Sequence, residues 1–319
     1  MSTLAKQPPQ EQAESERANR TARRVKSNRA RGENRLGWML AGPAFAVMVL
    51  VTGYPILQAF YDSLFSYRLT DPAARRFLGL RNYGVILTDS VWWQAFGVTT
   101  LITVVTVLVE LVIGFAFALV MLKALRAVRP ALRTVILIPY AIITVVSAFA
   151  WFFAFNINSG FVNPLIGQPD LNWFAQFSTA VTVIMLSEIW KTTPFISLLI
   201  LSGLAQVPED LQEAARVDGA TWWQRLWKVT IPNMKAAIMV AVLFRTLDAF
   251  RIFDNVFIMT NGSAGTETLS FGAYRQTISR LEIGLGSAYS VLLFLTVVLI
   301  CVGFIKIFRV DLGAARGER

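Results

Sequence analysis

The chain has 319 residues, of which 55% are hydrophobic and only 16% are charged, a balance that excludes an intrinsically disordered protein and favours a membrane protein. It has no histidine and one cysteine, Cys301, so imidazole catalysis, histidine-ligated or cysteine-rich metal sites and internal disulfides are excluded. The net charge of +10 would also suit a nucleic-acid-binding protein, so the positions of the basic residues decide between the two classes.

Six long stretches with few charges predict six transmembrane helices, because about 20 helical residues cross a bilayer core of about 30 Å. The first stretch and the last carry no charge at all, whereas the fifth carries several. The predicted spans are, in chain order, 37–60, 98–122, 134–155, 179–204, 236–260 and 287–308. The predicted fold class is therefore all-α, a polytopic membrane protein whose transmembrane part covers about 36–308.

The basic residues are concentrated in alternate connecting segments. The tail 1–35, the segments 123–133 and 205–235 and the end of the chain hold 21 of the 30 Lys and Arg residues, and the opposite side holds six. By the positive-inside rule, both termini are expected in the cytoplasm of a multi-pass cell-membrane protein. This bias explains the net charge without any nucleic acid. We expect 1–35 to be a disordered tail attracted to anionic membrane lipid, and 309–319 to be a short cytoplasmic tail.

The cytoplasmic segment 205–235 carries start and stop signals for two short helices. A proline and two acids at 208–210 favour the start of one helix, and Gly219 favours its end. Thr221 can cap a second helix, which we expect to run over 222–230 and to end before Pro232. The sequence therefore predicts a compact elbow of two helices that meet at a glycine on the cytoplasmic face.

This elbow resembles the EAA loop of ABC-importer permeases, which is the coupling helix that seats in a groove of the ATP-hydrolysing subunit. An ordinary amphipathic linker would not need this spacing between Glu-Ala-Ala, Asp-Gly and the later proline. One mild departure is Leu226, where many sugar permeases have phenylalanine. The resemblance implies that coupling to the ATPase falls to Glu213, Ala214, Ala215, Asp218, Gly219, Ala220 and Pro232.

Other motifs along the chain are similar to those of the maltose-type carbohydrate permeases. They are Tyr54-Pro55, the run 78–83, Ile138-Pro139, and Phe253-Asp254 leading into 259–262. The family often has Gly-Gly-Pro where this chain has Gly-Ser-Ala at 262–264, so the shape of that loop stays open. Within the family the likeness is to permeases for disaccharides such as trehalose, which implies a transport subunit with no catalytic residue, no metal and no cofactor of its own.

The chain has no Gly-x-x-x-x-Gly-Lys-Ser/Thr phosphate loop, so we expect the energy for transport to come from another subunit. The resemblance implies an ABC ATPase, as a dimer or two copies, that binds ATP and Mg²⁺. It also implies a second permease subunit and an extracytoplasmic sugar-binding lipoprotein. A membrane-embedded transferase acting on a lipid-linked substrate is the alternative, but it would need acids clustered near the membrane interface. A self-contained secondary transporter would need inverted repeats, which are not evident.

Apart from Lys306 at the end of the last span, seven charged residues lie within the predicted spans, where a central charge costs about 2.5–3.5 kcal/mol and marks a functional candidate. Glu188 and Lys191 lie three residues apart, as do the four alternating charges of 245–254, so we expect neighbours on one helix to meet. Their near balance argues against an ion-selective ring and leaves two roles open, helix pairing and binding of solute hydroxyls. The candidate solute-path residues are Glu110, Glu188, Trp190, Lys191, Arg245, Asp248, Phe250, Arg251, Asp254 and Asn255.

Overall fold

The computed structural model describes the backbone of residues 9–125 and 127–308 and the side chains of 35–125 and 127–306. The predicted C-terminal tail, 309–319, lies outside the described residues. The chain divides into two compact units, one up to Ala59 and one from Phe60 onward.

The first unit is formed by helix α1 (Pro9–Asp62), whose last residues belong to the second unit. Its segment Arg35–Asp62 is long and apolar enough to cross a membrane and contains the predicted span 37–60. The expectation that the basic tail is disordered differs from the structure, in which the backbone is helical from Pro9. The physical reason is composition, since Glu, Gln, Ala and Arg are strong helix formers and proline is tolerated in the first turn.

The second unit is mainly helical, and its elements follow one another closely along the chain. In chain order they are β1 (Phe65–Arg68), β2 (Asp71–Phe77), α2 (Arg81–Thr88), α3 (Ser90–Lys123), α4 (Arg129–Ala141), α5 (Thr144–Ala154), α6 (Val162–Leu165), α7 (Phe177–Leu204), α8 (Glu209–Val217), α9 (Trp222–Arg225), α10 (Ile231–Asn233), α11 (Lys235–Ala249), α12 (Asp254–Met259), α13 (Leu269–Tyr274) and α14 (Ile283–Phe308). Turns of π-helix cover Leu226–Thr230 and Arg275–Ser279, and a 3₁₀ turn covers Ser263–Gly265.

Several helices are long and apolar enough to cross a bilayer. Among the described residues there are four such segments, Arg35–Asp62, Ser90–Lys123, Phe177–Leu204 and Ile283–Lys306. The α4–α5 pair would make a fifth crossing if both helices belong to one span. The prediction of a mainly helical protein with several apolar helices is therefore confirmed.

Two of the predicted spans are not continuous helices. In the span predicted at 134–155, α4 and α5 are bent by 83° at a short break after Ala141. Pro139 lies in the last turn of α4, where it lacks the backbone donor that a continuing helix needs. The span predicted at 236–260 consists of α11, which is 15 residues long, and α12, with 250–253 between them.

A β-hairpin follows α1, which the all-α prediction missed. Strands β1 and β2 pair antiparallel, and the motif 78–83 holds the start of β1. Asn82 donates its side-chain amide to the carbonyl oxygens of Ser63 at 2.7 Å and Phe65 at 2.9 Å. The Tyr83 hydroxyl lies 2.6 Å from the Ser63 hydroxyl. This motif, which carried part of the family resemblance, therefore has a local structural role.

Helices α3, α7 and α11 pack against one another and form the centre of the second unit. Small residues allow the close approach. A Cβ atom added at Gly114 of α3 would lie 2.8 Å from Ile196 of α7, and one added at Gly203 of α7 would lie 2.5 Å from the Cβ of Ala237 of α11. We call these three helices the central helices, and the buried charges lie on them.

Candidate solute path and coupling elbow

A buried ion-pair network joins the three central helices. Arg245 of α11 and Glu110 of α3 have no solvent exposure. The guanidinium donates through Nε to Oε2 of Glu110 at 2.6 Å and through Nη2 to Oε1 at 3.0 Å. Nη2 also donates to Oε1 of Glu188 on α7 at 2.9 Å. One arginine therefore binds a carboxylate on each of the other two central helices, once in the strong bidentate geometry.

The one remaining oxygen of the two buried carboxylates, Oε2 of Glu188, is also satisfied, and Glu110 has a further partner. Asn255 donates its side-chain amide to Oε2 of Glu188 at 2.7 Å. The Thr192 hydroxyl lies 2.8 Å from Oε1 of Glu110. All four carboxylate oxygens of Glu110 and Glu188 therefore accept a hydrogen bond, which offsets the cost of removing these charges from water.

A polar cavity of about 400 Å³ lies beside this network. Asp248 connects the two, because its Oδ2 accepts from Nη1 of Arg245 at 2.7 Å while 70% of its side chain is exposed. The Lys191 ammonium lies 5.6 Å from the ring centroid of Tyr140, a cation–π distance. The cavity is lined by Tyr140, Thr144, Glu188, Lys191, Thr192, Asp248, Arg251, Ile252, Phe253, Asp254 and Asn255. It thus offers hydrogen-bond donors and acceptors to one solute.

The ion pairs that we predicted along single helices are only partly correct. Arg245 and Asp248 meet as expected. Glu188 pairs with Arg245 of another helix and not with Lys191, because the helix–helix contact brings the guanidinium to it. Across the described part of the chain, Arg251 and Asp254 form no ion pair, since α11 ends before them and the spacing of a continuous helix is lost.

The structure brings eight of the ten candidate solute-path residues to the network or the cavity, and it places two elsewhere. Trp190 is 40% exposed and lies beside Trp151, with 6.1 Å between ring centroids. Phe250 is buried and packs near Phe96. Sequence reasoning missed the hydroxyl-bearing lining residues Tyr140, Thr144 and Thr192. Of these, only Thr192 had a signal, because it lies one helical turn after Glu188.

The elbow between α7 and α11 is built from local capping interactions. Gly219 follows α8 with φ +77°, a left-handed conformation that favours glycine. Thr221 and Gln224 form a capping box at the start of α9, with distances of 2.8 and 3.4 Å. The second helix passes into a π-helical turn and α10, so Pro232 lies in the first turn of α10 and does not end a helix as expected.

The residues assigned to coupling are exposed or half-buried. Gln212 donates its amide to the Thr230 hydroxyl at 2.9 Å, which ties α8 to the π-helical turn. Glu213 is exposed and forms no ion pair among the residues that the structure describes. Its carboxylate can therefore contact another protein without first breaking an internal pair.

Comparison with known proteins gives a consistent assignment. Residues 110–309 match the family described as the binding-protein-dependent transport system inner membrane component. The chain is 48% identical over 276 residues to the trehalose transport system permease protein SugA of Mycobacterium tuberculosis, covering 86% of this chain and 89% of that protein. It is 34% identical over 281 residues to the trehalose/maltose transport system permease protein MalF of Thermococcus litoralis, covering 87% and 95%.

The fold also matches solved structures. A chain of a bacterial ABC transporter involved in the import of the acidic polysaccharide alginate aligns with a TM-score of 0.73 at 18% identity, covering 86% of this chain and 96% of that one. A chain of the MetNI methionine ABC transporter aligns with a TM-score of 0.53 at 18% identity, covering 69% and 95%. By its family match and its relatives, the chain belongs to the binding-protein-dependent transport system inner membrane components, the permeases of ABC importers.

Proposed function

We propose that the chain is the permease subunit of an ATP-driven ABC importer that carries a sugar, with trehalose as the first solute to test, into the cytoplasm. The observation that carries the proposal is the polar cavity beside the Arg245 network, because a neutral, hydroxyl-rich solute needs both donors and acceptors. The relatives described as trehalose permeases support this solute class. They are transport permeases, so the transferase alternative is not favoured.

Exposure divides the proposed site into a structural part and a solute-binding part. Glu110 and Arg245 are fully buried and hold the central helices together. Asp248 and Arg251 are exposed and Asp254 is half-buried, and all three line the cavity. In this proposal their side chains contact the solute hydroxyls. Lys191, Glu188 and Asn255 also line the cavity. Trp190 and Phe250 are packing residues in this proposal.

We further propose six membrane crossings with both termini in the cytoplasm. In this arrangement α4 and α5 form one bent crossing, and α11 with the residues that follow forms a broken one. The support is the distribution of basic residues, 21 on one side and six on the other. The basic tail 1–35 then lies beside anionic lipid on the cytoplasmic side.

The proposed partners follow from the elbow and from the size of the chain. The exposed α8–α9 elbow docks on a dimeric ATPase that binds ATP and Mg²⁺, with Glu213 at the contact. A second permease subunit completes the pore, and an extracytoplasmic sugar-binding lipoprotein delivers the solute. The catalytic chemistry therefore belongs to the ATPase subunits, and this chain binds no cofactor.

The proposal is tested by reconstitution in proteoliposomes. We expect labelled trehalose to accumulate only when this chain, the second permease, the ATPase and the binding protein are all present, and we expect no ATP hydrolysis by this chain alone. Accumulation with this chain omitted, or robust hydrolysis by the isolated chain, would contradict it. Other labelled disaccharides and sugar glycerols, run in parallel, identify the solute if trehalose is not taken up.

The coupling role of the elbow is tested with substitutions at Gly219 and Glu213, and a glycine outside the elbow serves as the control. Nothing lies within 4 Å of a Cβ added at Gly219, so the harm from Gly219→Val is backbone strain at positive φ, at about 1–2 kcal/mol. We expect this variant and Glu213→Ala to insert normally and to lose most solute-stimulated ATP hydrolysis. The matched control is Gly84→Ala, another open site whose φ is not positive. Unchanged uptake in both elbow variants would remove the elbow from the mechanism.

A further inference from the structure

A second cavity, of about 610 Å³, lies where the ends of α3 and α7 meet the elbow. α3 ends at Lys123 and α7 at Leu204, and both helices are long and apolar enough to cross a bilayer. The cavity therefore lies at the level where membrane-spanning segments meet lipid head groups. Leu119, Leu122 and Leu204 form an apolar part of its wall.

The rest of the wall is rich in positive charge. Its charged lining residues are the cations Lys123, Arg129, Arg216 and Arg225 and the carboxylates Glu209 and Glu213. In the described ranges, none of the four cations has a carboxylate oxygen within 4.0 Å. Among the side chains that the structure describes, the cavity thus carries an excess of two positive charges that no ion pair neutralises. An anion from outside the chain would complete the site.

Three of these cations are held in place by uncharged groups. Arg129 donates through Nη2 to a backbone carbonyl at the end of α3 at 2.7 Å. The Lys123 ammonium lies 5.3 Å from the ring centroid of Trp222. Arg225 donates to a backbone carbonyl of the elbow at 3.3 Å. These contacts fix the side chains without cancelling their charges, so the site is preorganised for an anion.

We propose that this cavity binds the phosphate group of an anionic phospholipid. Arginine and lysine side chains suit phosphate oxygens, and basic pockets between helices at the cytoplasmic membrane surface bind lipid head groups. The acyl chain lies along Leu119 and Leu122, at the membrane end of the cavity. Inorganic phosphate shares the chemistry but leaves this apolar wall uncovered. The inference concerns the chain by itself and does not depend on the identity of the transported solute.

The test measures lipid retained by the full-length chain. The chain is reconstituted in nanodiscs of phosphatidylcholine with an equal amount of phosphatidylglycerol, transferred to mild detergent and analysed by native mass spectrometry. We expect phosphatidylglycerol to be enriched over phosphatidylcholine, and Arg216→Gln and Lys123→Gln each to lower that enrichment about fivefold. The matched control is Lys228→Gln, an exposed cation of the same elbow that does not line the cavity and whose loss should leave the enrichment unchanged.

Circular dichroism and size-exclusion chromatography check that each variant stays folded; both target side chains are exposed, which makes misfolding a poor explanation of lost binding. Equal enrichment in all four proteins, or equal loss in Lys228→Gln, would overturn the proposal. A separate arm titrates inorganic phosphate by calorimetry. Tight phosphate binding that displaces phosphatidylglycerol and disappears in Arg216→Gln would assign the cavity to free phosphate and overturn the lipid assignment.

Discussion

Glu110 and Asp248 both contact the guanidinium of Arg245, but Glu110 is buried and Asp248 is exposed. Variants of these two residues therefore test whether the buried carboxylate holds the helices together and the exposed one binds the solute. Glu110 is fully buried and accepts from Arg245 at 2.6 and 3.0 Å. Asp248 accepts from it at 2.7 Å with 70% of its side chain exposed. The substitutions Glu110→Gln and Asp248→Asn each remove one negative charge at constant shape. We expect the first to damage assembly and the second to damage uptake.

The expected magnitudes follow from burial. Breaking a buried ion pair costs about 3–5 kcal/mol, and we expect about 3 kcal/mol for Glu110→Gln because Glu188 still faces Arg245. An exposed pair contributes about 0.2–1 kcal/mol, which bounds the stability loss in Asp248→Asn. At about 2–4 °C per kcal/mol, the unfolding midpoint should fall by roughly 6–12 °C in the first variant and by at most about 4 °C in the second.

The assays are thermal unfolding in detergent, followed by tryptophan fluorescence, and solute uptake at equal amounts of inserted protein. Asp248→Asn should lose about tenfold in uptake, as expected for one charge-assisted hydrogen bond to the solute. Equal midpoint losses in the two variants would refute the argument from burial. Normal uptake by a normally assembled Asp248→Asn would remove Asp248 from the path.

Two further predictions concern packing and pH. Gly203→Ala places a methyl group 2.5 Å from the Cβ of Ala237, so it should cost about 1–3 kcal/mol in thermal unfolding, and adding Ala237→Gly should restore most of it; a double variant no better than the single one would contradict this. Burial raises the pKa of the Glu267 carboxyl above its ordinary 4.5, with Arg275 opposing the shift. The folded state therefore holds that proton more tightly, so native stability falls as pH rises above 4.5. The midpoint of Glu267→Gln minus that of the native chain should grow from near zero at pH 4 towards pH 7, and a difference that shrinks would contradict the assignment.

Most of the helical fold could be predicted from runs of apolar residues. The spans predicted at 98–122 and 179–204 fall inside α3 and α7, because charge-free length is a direct requirement of the bilayer. Hydropathy could not find the end of α11, since three of the four residues at 250–253 are apolar. There the carbonyl oxygen of Ile252 accepts a hydrogen bond from the hydroxyl of Thr268, a residue distant in sequence. The β-hairpin was missed for a similar reason, because contacts from Asn82, distant in sequence, hold it.

The candidate site was predicted as a set of residues but not as a set of contacts. The cost of burying charge marked Glu110, Glu188 and Arg245 as candidates, and the structure brings these three together in one buried ion-pair network. Pairing rules for one helix then assigned Lys191 to Glu188, whereas the partner is Arg245 on another helix. Residue spacing reports neighbours along a helix, and only tertiary packing brings side chains from separate helices together. Tyr140 and Thr144, on other helices than the predicted charges, were missed for the same reason.

The three-way contact of Arg245 limits how the protein can move. To separate α11 from α3 and α7, the guanidinium must give up its bonds to Glu110 and Glu188 together, although Arg245 and Glu110 have no solvent exposure and their charges would be left unpaired. The central helices are therefore expected to travel as a rigid body. Any larger rearrangement during transport then has to occur at hinges, and the structure has two interruptions suited to that, the 83° bend between α4 and α5 and the segment 250–253 after α11.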